Sequence, residues 1–429
     1  MEKLVYIHTF GCQMNVHDSE KMLGVLEGKG YKKTDHPSKA DLIIFNTCSI
    51  RKKAEQKFYS ELGRIKFYKK RRKDLKIIVA GCIAQQEGEN IFKKAPHVDF
   101  IIGPQNIYSL AYLKNGKQVL IEDNPDIASS DLPVKRNNDV SAWVTIMYGC
   151  NNYCSYCVVP YTRGKERSRP AENIYKEIVE LAEQRYREIT LLGQNVNSYY
   201  SDINFTQLLR KINQIEGIER IRFVTSHPKD LSEDLIFSMQ ELDKVCEHIH
   251  LPLQSGSDEI LQRMNRKYSF KDYMGKVNLL RKVIPDISIT SDIIAGFPGE
   301  NEKDHLATLK ALKEIEFDGI FAFKFSPRPG TKAEKMDNQI SEDIKSERLS
   351  EILVLQDTIT ERKNKSLEGT VQEILIEGFD EHNINKLSGR TRTNKIVTID
   401  SQNFKQGDLI NVLITKGRKH SLEGNPVNK

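Results

Sequence analysis

A chain of 429 residues is longer than one hydrophobic core usually serves and implies two or three domains. Apolar residues make up 38% and charged residues 29%, with a mean hydropathy of −0.52, which excludes a disordered chain, and no apolar run approaches a membrane span. Net charge is +6, from 65 Lys and Arg against 59 Asp and Glu, an excess that permits an anionic partner without demanding one. The N-terminus lacks the cationic start, long apolar stretch and small-residue cleavage site of a secretory signal, so a cytoplasmic location with reduced thiols is expected.

Short apolar strands alternate with amphipathic helices, which predicts parallel sheet and an α/β fold class. Strands are predicted near residues 4–8, 41–45, 76–80 and 99–102, with helices from about Asp18, Arg51 and Gln86 between them. These fit a doubly wound N-terminal domain over 1–121. A basic run, KFYKKRRKDLK from Lys66 to Lys76, reads either as a face for phosphates or as a solvated helix surface. Residues 122–140 are polar, carry Pro125 and Pro133, show no periodicity, and read as an interdomain linker.

The stretch 141–366 predicts strands at 143–147, 188–192, 220–225, 248–251, 288–294 and 319–325, a partial (βα)6 barrel. After Pro170, Ile174, Ile178, Leu181 and Ala182 fall on one helical stripe, and a long charged helix over 341–365 closes the domain. From 367 to 429 the pattern turns to period two, with glycine turns at Gly369, Gly378, Gly389 and Gly407. That reads as a small antiparallel OB-like β-barrel.

Seven cysteines, an odd and scattered set, argue for metal or catalysis over disulfides. Cys150, Cys154 and Cys157 form a CxxxCxxC cluster directly after the first barrel strand, where one tight loop can aim three thiolates at one centre. Three soft thiolates select zinc or an iron–sulfur cluster. A structural zinc site would need a fourth ligand from a distance, such as His227 or His250, and would suit an RNA-binding protein without catalysis. A 4Fe-4S cluster on three ligands would leave one iron open. Cys12, Cys48 and Cys82 each follow one of the first three predicted strands, about one strand–helix repeat apart. Parallel strands bring such loops to one carboxyl edge, so these thiols can converge on a second centre; three buried structural cysteines are the plain alternative. Cys246 belongs to neither set and reads as core.

The CxxxCxxC loop after the first strand of a partial βα barrel resembles the radical S-adenosylmethionine (SAM) enzymes. That resemblance implies a 4Fe-4S cluster on the three cysteines whose open iron binds SAM, one-electron cleavage of SAM to a 5′-deoxyadenosyl radical, and a catalytic role for Cys150, Cys154 and Cys157. It also implies SAM contacts at Gln194 and Asn195 in LLGQNVN (191–197), at Ser257 in PLQSGS (252–257), and at Gly296 in SITSDIIAGFPGE (288–300).

TFGCQMN (9–15), NTCS (46–49), GCIAQ (81–85) and CVVPYTRG (157–164) together resemble the methylthiotransferases within that superfamily, over the whole chain. The C-terminal module is similar to the TRAM domain, an RNA-binding barrel, and here contains LSGRTRTNK (387–395). The likeness implies an auxiliary 4Fe-4S cluster on Cys12, Cys48 and Cys82. Gln13 and Met14 favour the MiaB-type branch, whose implied reaction methylthiolates carbon 2 of N(6)-dimethylallyladenosine at position 37 of tRNA. One SAM gives a methyl group to cluster-bound sulfur and another becomes the radical. A threonylcarbamoyladenosine tRNA or a ribosomal protein is the alternative substrate. The implied partners are the tRNA anticodon loop and an electron donor such as flavodoxin or ferredoxin, with no membrane and a monomeric chain. RNA contacts are expected at Arg163, Lys165, Arg167 and Arg169, and at Arg390, Arg392, Lys395 and Lys416 to Lys419; the first group would alternatively bind the SAM carboxylate. Phe379 and Phe404 are the only aromatics of the C-terminal barrel.

Overall fold

A computed structural model of the chain describes residues 2–49, 52–380, 383–400 and 404–427, without the side chains of 52–54. Arg51, the expected start of the second helix, lies outside the described residues. Among those described, no helix is long and apolar enough to cross a membrane. The chain divides into two compact units, Met1–Asn137 with Met147–Tyr153 and Cys157–Pro170, and Asn138–Ile146 with Cys154–Tyr156 and Ala171–Lys429.

The first unit carries a parallel sheet of β1 (Lys3–Thr9), β2 (Tyr31–Lys33), β3 (Leu42–Thr47), β4 (Lys76–Gly81), β5 (Phe100–Ile102) and β6 (Gln118–Leu120), in the order β2-β1-β3-β4-β5-β6. Helices α1 (Gln13–Glu27) and α2 (Lys52–Arg71) cover opposite faces. Alternation along the central strands explains why both faces are apolar: Ile43, Phe45, Ile77 and Val79 pack with Phe58 and Leu62, while Leu42, Ile44, Ile78 and Ala80 pack with Met22 and Leu26. β2 and β6 are not foreseen from the sequence. They are three-residue edge strands, too short to show a pattern. α1 starts at Gln13, five residues before the expected Asp18, because Cys12 already stands in the extended N-cap conformation.

Residues 122–137 do not hang free of this unit. Lys135 N donates to Glu20 O at 3.1 Å and Asn137 N to Glu20 Oε1 at 3.1 Å. A Cβ at Gly24 would stand 2.2 Å from Pro133 O, so the strap fits over a helix surface that has no side chain there.

The second unit opens with β7 (Ser141–Thr145). The chain returns to the first unit for a two-strand ribbon, β8 (Met147–Tyr148) with β9 (Arg167–Ser168), and then continues through β10 (Glu188–Leu192), β11 (Arg220–Phe223), β12 (His248–His250), β13 (Ser288–Ala295) and β14 (Gly319–Lys324). Two all-parallel sheets, β11-β10-β7 and β12-β13-β14, are linked by a parallel bridge between Ile221 and Val245, which gives the open barrel its six strands. The helix Glu342–Lys365, capped by Ser341, follows. A closed five-strand barrel ends the chain: β15 (Val371–Phe379), β16 (Lys386–Thr391), β17 (Ile396–Asp400), β18 (Leu409–Gly417) and β19 (Leu422–Pro426), filled by Ile374, Ile376, Leu387, Val397, Ile399, Val412, Ile414 and Leu422.

Two buried arginines of β11 dock this barrel. Arg220 donates to Arg390 O at 2.6 Å and to Glu373 Oε1 at 2.8 Å, and Arg222 donates to Arg392 O at 2.9 Å and Thr391 O at 2.8 Å. Arg222 is held in turn by Glu188 at 2.8 Å, both side chains nearly sealed from solvent. Removing one partner of a buried pair leaves an uncompensated charge, whereas replacing both with apolar groups is close to neutral. Glu188→Ala is expected to lower unfolding stability by about 3–5 kcal/mol, and the double variant Glu188→Leu/Arg222→Met by less. Urea unfolding followed by the single tryptophan, Trp143, which pairs with Thr190 on the neighbouring strand, checks both.

Candidate metal and cofactor site

The paired strands β1, β3 and β4 are in register at their carboxyl ends: Thr9 faces Asn46, Asn46 faces Ala80, and Thr47 faces Gly81. Cys48 and Cys82 are the next residues after β3 and β4, and Cys12 lies three beyond β1, so one sheet edge collects all three thiols. Two glycines make the approach possible. Gly11, at φ +126°, would place a Cβ 2.4 Å from Cys48 Cβ and 3.0 Å from its Sγ; Gly81, at φ +89°, would place one 2.4 Å from Thr47 O. Asn15 and Asn46 lace the edge together. Asn15 Nδ2 donates to Asn46 Oδ1 and Thr47 O, and Asn46 Nδ2 donates to Asn15 O and Ser19 Oγ.

Contact with the Cys48 thiol, helped by the Arg163 charge and opposed by burial, lowers Cys12 to about 6. Burial pushes Cys82 the other way, against Arg163. Arg163 is buried, not at an RNA-facing surface. Its Nη2 donates to Asp18 Oδ2 at 2.8 Å, and it lies within hydrogen-bond reach of Cys82. Burial opposes its charge, but Asp18, Cys82 and Cys12 hold it above the ordinary arginine value. Among the described residues, no three His, Cys, Asp or Glu side chains close around a single metal ion. A set of thiols with a depressed Cys12 and a buried cation beside it suits a wider, anionic thiolate-bound cluster.

In the CxxxCxxC loop, Cys150 and Cys157 fall in the first unit and Cys154 in the second. Gly149, at φ +71°, would place a Cβ 2.1 Å from Lys165 O, and Cys150 N donates to Gly164 O at 3.2 Å, so the segment after Cys157 folds back on the loop's start. In the second unit, Cys154 Sγ accepts from Arg266 Nη1 at 3.4 Å. Arg266 escapes sequence reasoning because arginine belongs to no ligand-spacing rule; only its place in MNRKYS (264–269) marks it. Tyr153 and Tyr161, exposed and edge to face at 6.1 Å, are likewise not foreseen.

After β10, Gln194 Oε1 and Asn195 Oδ1 are buried without a hydrogen-bond partner among the described residues, as is Ser226 Oγ, while Asn195 Nδ2 donates to Asp230 at 2.7 Å. Buried orphan acceptors fit a donor group not belonging to the chain, such as an ammonium. Ser257 and Gly296 have other duties. The Ser257 hydroxyl donates to Asp304 at 2.6 Å and caps the helix Asp258–Arg263, and Gly296 is shaped by the approach of Lys345, whose Cγ a Cβ would meet at 2.3 Å. His227 is neutral: burial, then the nearby Arg266 charge, lowers it to about 2.

Five more of the expected RNA residues are held in ion pairs. Arg167 pairs with Asp123 at 2.7 Å, Arg169 with Asp131 at 3.2 Å, Arg390 with Glu377 at 3.0 Å, Arg392 with Glu247 at 2.8 Å and Lys395 with Asp318 at 3.1 Å. Lys69 and Arg72 of the basic run are taken by Asp99 and Asp41.

Three family models match the chain: Uncharacterized protein family UPF0004 over residues 4–103, the Radical SAM superfamily over 144–312 and the TRAM domain over 365–427. A solved radical SAM methyltransferase, TsrM from Kitasatospora setae with cobalamin and a [4Fe-4S] cluster bound, shares the fold with a TM-score of 0.58 at 16% identity, covering 78% of this chain and 77% of that one. Fold and family match together define a radical SAM enzyme, a class built around a 4Fe-4S cluster and SAM. The tRNA-2-methylthio-N(6)-dimethylallyladenosine synthase of Thermodesulfovibrio yellowstonii is 59% identical over 98% of both chains, and that of Syntrophus aciditrophicus 50% identical over 99% of this chain and 94% of its own. The chain belongs to that family of methylthiotransferases.

The thiols of the sheet edge differ in reactivity. In metal-free protein at pH 7, Cys12 is expected to alkylate fastest of the three, being the least buried and mostly thiolate, with Cys82 slowest. Because the Cys12 value is depressed, its rate advantage falls away as pH drops through about 6. Mass spectrometry of iodoacetamide-labelled peptides across pH reads this order.

Proposed function

We propose that the chain methylthiolates carbon 2 of N(6)-dimethylallyladenosine at position 37 of tRNA, using two 4Fe-4S clusters and SAM. The observation that carries this reading is the meeting of Cys12, Cys48 and Cys82 at the ends of three adjacent in-register strands, in a chain that also bears the CxxxCxxC loop. A radical SAM reaction alone needs only the loop. A second group of three thiols fits a second centre, which sulfur transfer requires.

In this reading Cys150, Cys154 and Cys157 hold one cluster and Cys12, Cys48 and Cys82 the other. Together with SAM, such centres supply one-electron cleavage of the sulfonium, hydrogen abstraction from an unactivated carbon, and a methylated sulfur for transfer. The chain does the positioning. Gln194 and Asn195 offer unpaired buried acceptors to the SAM ammonium. Gly11 and Gly81 keep the second trio close, and the Asn15–Asn46 lacing fixes it. Exposed Tyr153 and Tyr161 give an unstacked anticodon-loop base an aromatic surface beside the loop. The arginines first read as RNA contacts order the protein that presents these groups, and the TRAM barrel supplies RNA affinity through residues not committed to internal pairs. A small one-electron protein such as flavodoxin or ferredoxin delivers the electron, and the enzyme works as a cytoplasmic monomer.

Nucleoside analysis of tRNA from cells with and without the gene tests the substrate: 2-methylthio-dimethylallyladenosine disappears without it, and an unchanged level contradicts the assignment. Cys154→Ala is expected to abolish SAM cleavage, whereas Cys48→Ala retains some cleavage and loses product. Loss of cleavage in both, with the loop's cluster intact by iron and sulfide analysis, counts against separate roles.

A further inference from the structure

Arg266 is a buried guanidinium that, among the described residues, has no carboxylate partner. Its side chain lies in a residue 8% exposed, and all of its partners are close at hand. Nε donates to Tyr268 Oη at 2.8 Å, Nη2 to Pro252 O at 3.0 Å and Nη1 to Cys154 Sγ at 3.4 Å. The Tyr268 phenol is itself committed as a donor to the Pro252 and Leu253 carbonyls, both at 3.0 Å, and burial makes it harder to ionise. A sealed positive charge needs a counter-charge. Of the atoms at this fork, the Cys154 sulfur is the one that belongs to the cysteine loop.

Arg163 shows the contrasting arrangement. It also lies beside metal-binding cysteines, but Asp18 at 2.8 Å neutralises it before any thiolate does. The two thiol groups therefore meet buried guanidiniums in different states of compensation.

We propose that Arg266 is a positioning residue that donates to the Cys154 sulfur and raises the reduction potential of the cluster on Cys150, Cys154 and Cys157. Adding an electron to that cluster adds negative charge, and a fixed cation donating to a ligand sulfur stabilises the reduced form; charge and hydrogen bonds at the sulfurs set such potentials. The proposal rests on the reading that these three cysteines hold a cluster.

The test uses the full-length chain with Cys12, Cys48 and Cys82 changed to Ala, so that one cluster titrates. Iron and sulfide are counted first, and the midpoint is then read by electron paramagnetic resonance during a redox titration. In this background Arg266→Gln is expected to lower the reduced fraction at a fixed poise by ~10-fold or more, a midpoint shift of about 59 mV for a one-electron couple. Arg266→Lys, which keeps the charge, is expected to restore most of the native midpoint. A cluster retained by Arg266→Lys and lost by Arg266→Gln also supports the charge requirement. A loaded Arg266→Gln protein with the native midpoint overturns the proposal, including the case in which only SAM binding is lost, which would make Arg266 a cofactor contact. Equal shifts in both variants, or loss of the cluster in both, overturn it too, since shape would then matter and not charge. Absence of iron and sulfide from the background protein itself defeats the earlier reading of the loop.

Discussion

Parallel strands paired in register end at a common level, so whatever follows each strand is delivered to one edge without further instruction. The N-terminal unit depends on this constraint. Thr9, Asn46, Thr47 and Gly81 are set side by side by main-chain hydrogen bonds, and the cysteines that follow inherit the alignment. What alignment alone cannot do is let the turns approach closely. Gly11 and Gly81 solve that, each at a positive φ and each where a side chain would strike the next strand's residues. Both faces of the sheet are sealed by helices, which leaves its edge as the place where chemistry meets solvent.

Buried guanidiniums are the second organising element, and they work inside the protein. Arg220 and Arg222 reach from β11 to main-chain carbonyls of the C-terminal barrel, so a barrel with its own complete core is oriented by polar contacts to the six-strand unit. A main-chain carbonyl cannot be moved without moving its strand, which makes such bonds demanding of geometry. Glu188 keeps Arg222 from being an isolated charge, and Asp18 does the same for Arg163. An ion pair of this kind adds little net stability over apolar packing, but it tolerates few alternative arrangements.

Much of this was legible in the sequence. Alternating strand and helix patterns located the central strands of both α/β regions within a few residues, because fully buried parallel strands are continuous apolar runs. The placement of Cys12, Cys48 and Cys82 just beyond three adjacent strands was legible because strand ends are sequence properties. Edge strands β2 and β6 were not, since three residues are too few to carry a period. The ion pairs of the basic residues were not legible, for a definite reason. Arg163, Arg390 and Arg392 look like phosphate contacts when their neighbours in sequence are considered, but Asp18, Glu377 and Glu247 reach them from other segments, and only the folded chain brings those carboxylates in. Arg266 was invisible for the opposite reason: its significance is that, among the described residues, no carboxylate arrives.

Compensation of buried charge thus separates residues that composition treats alike. An arginine with a buried carboxylate is partly compensated, so the pull of Arg163 on Cys12 is opposed by Asp18. An arginine without one presents a net charge at short range in a medium where that charge is poorly screened, and the group it faces must answer it. For a cluster on a sulfur ligand, the answer is to welcome further negative charge. The pairing pattern of each guanidinium, more than its proximity to cysteine, therefore determines how it acts on a metal centre. Arg163 beside Asp18 orders its surroundings, while Arg266 beside Cys154 acts on the sulfur itself.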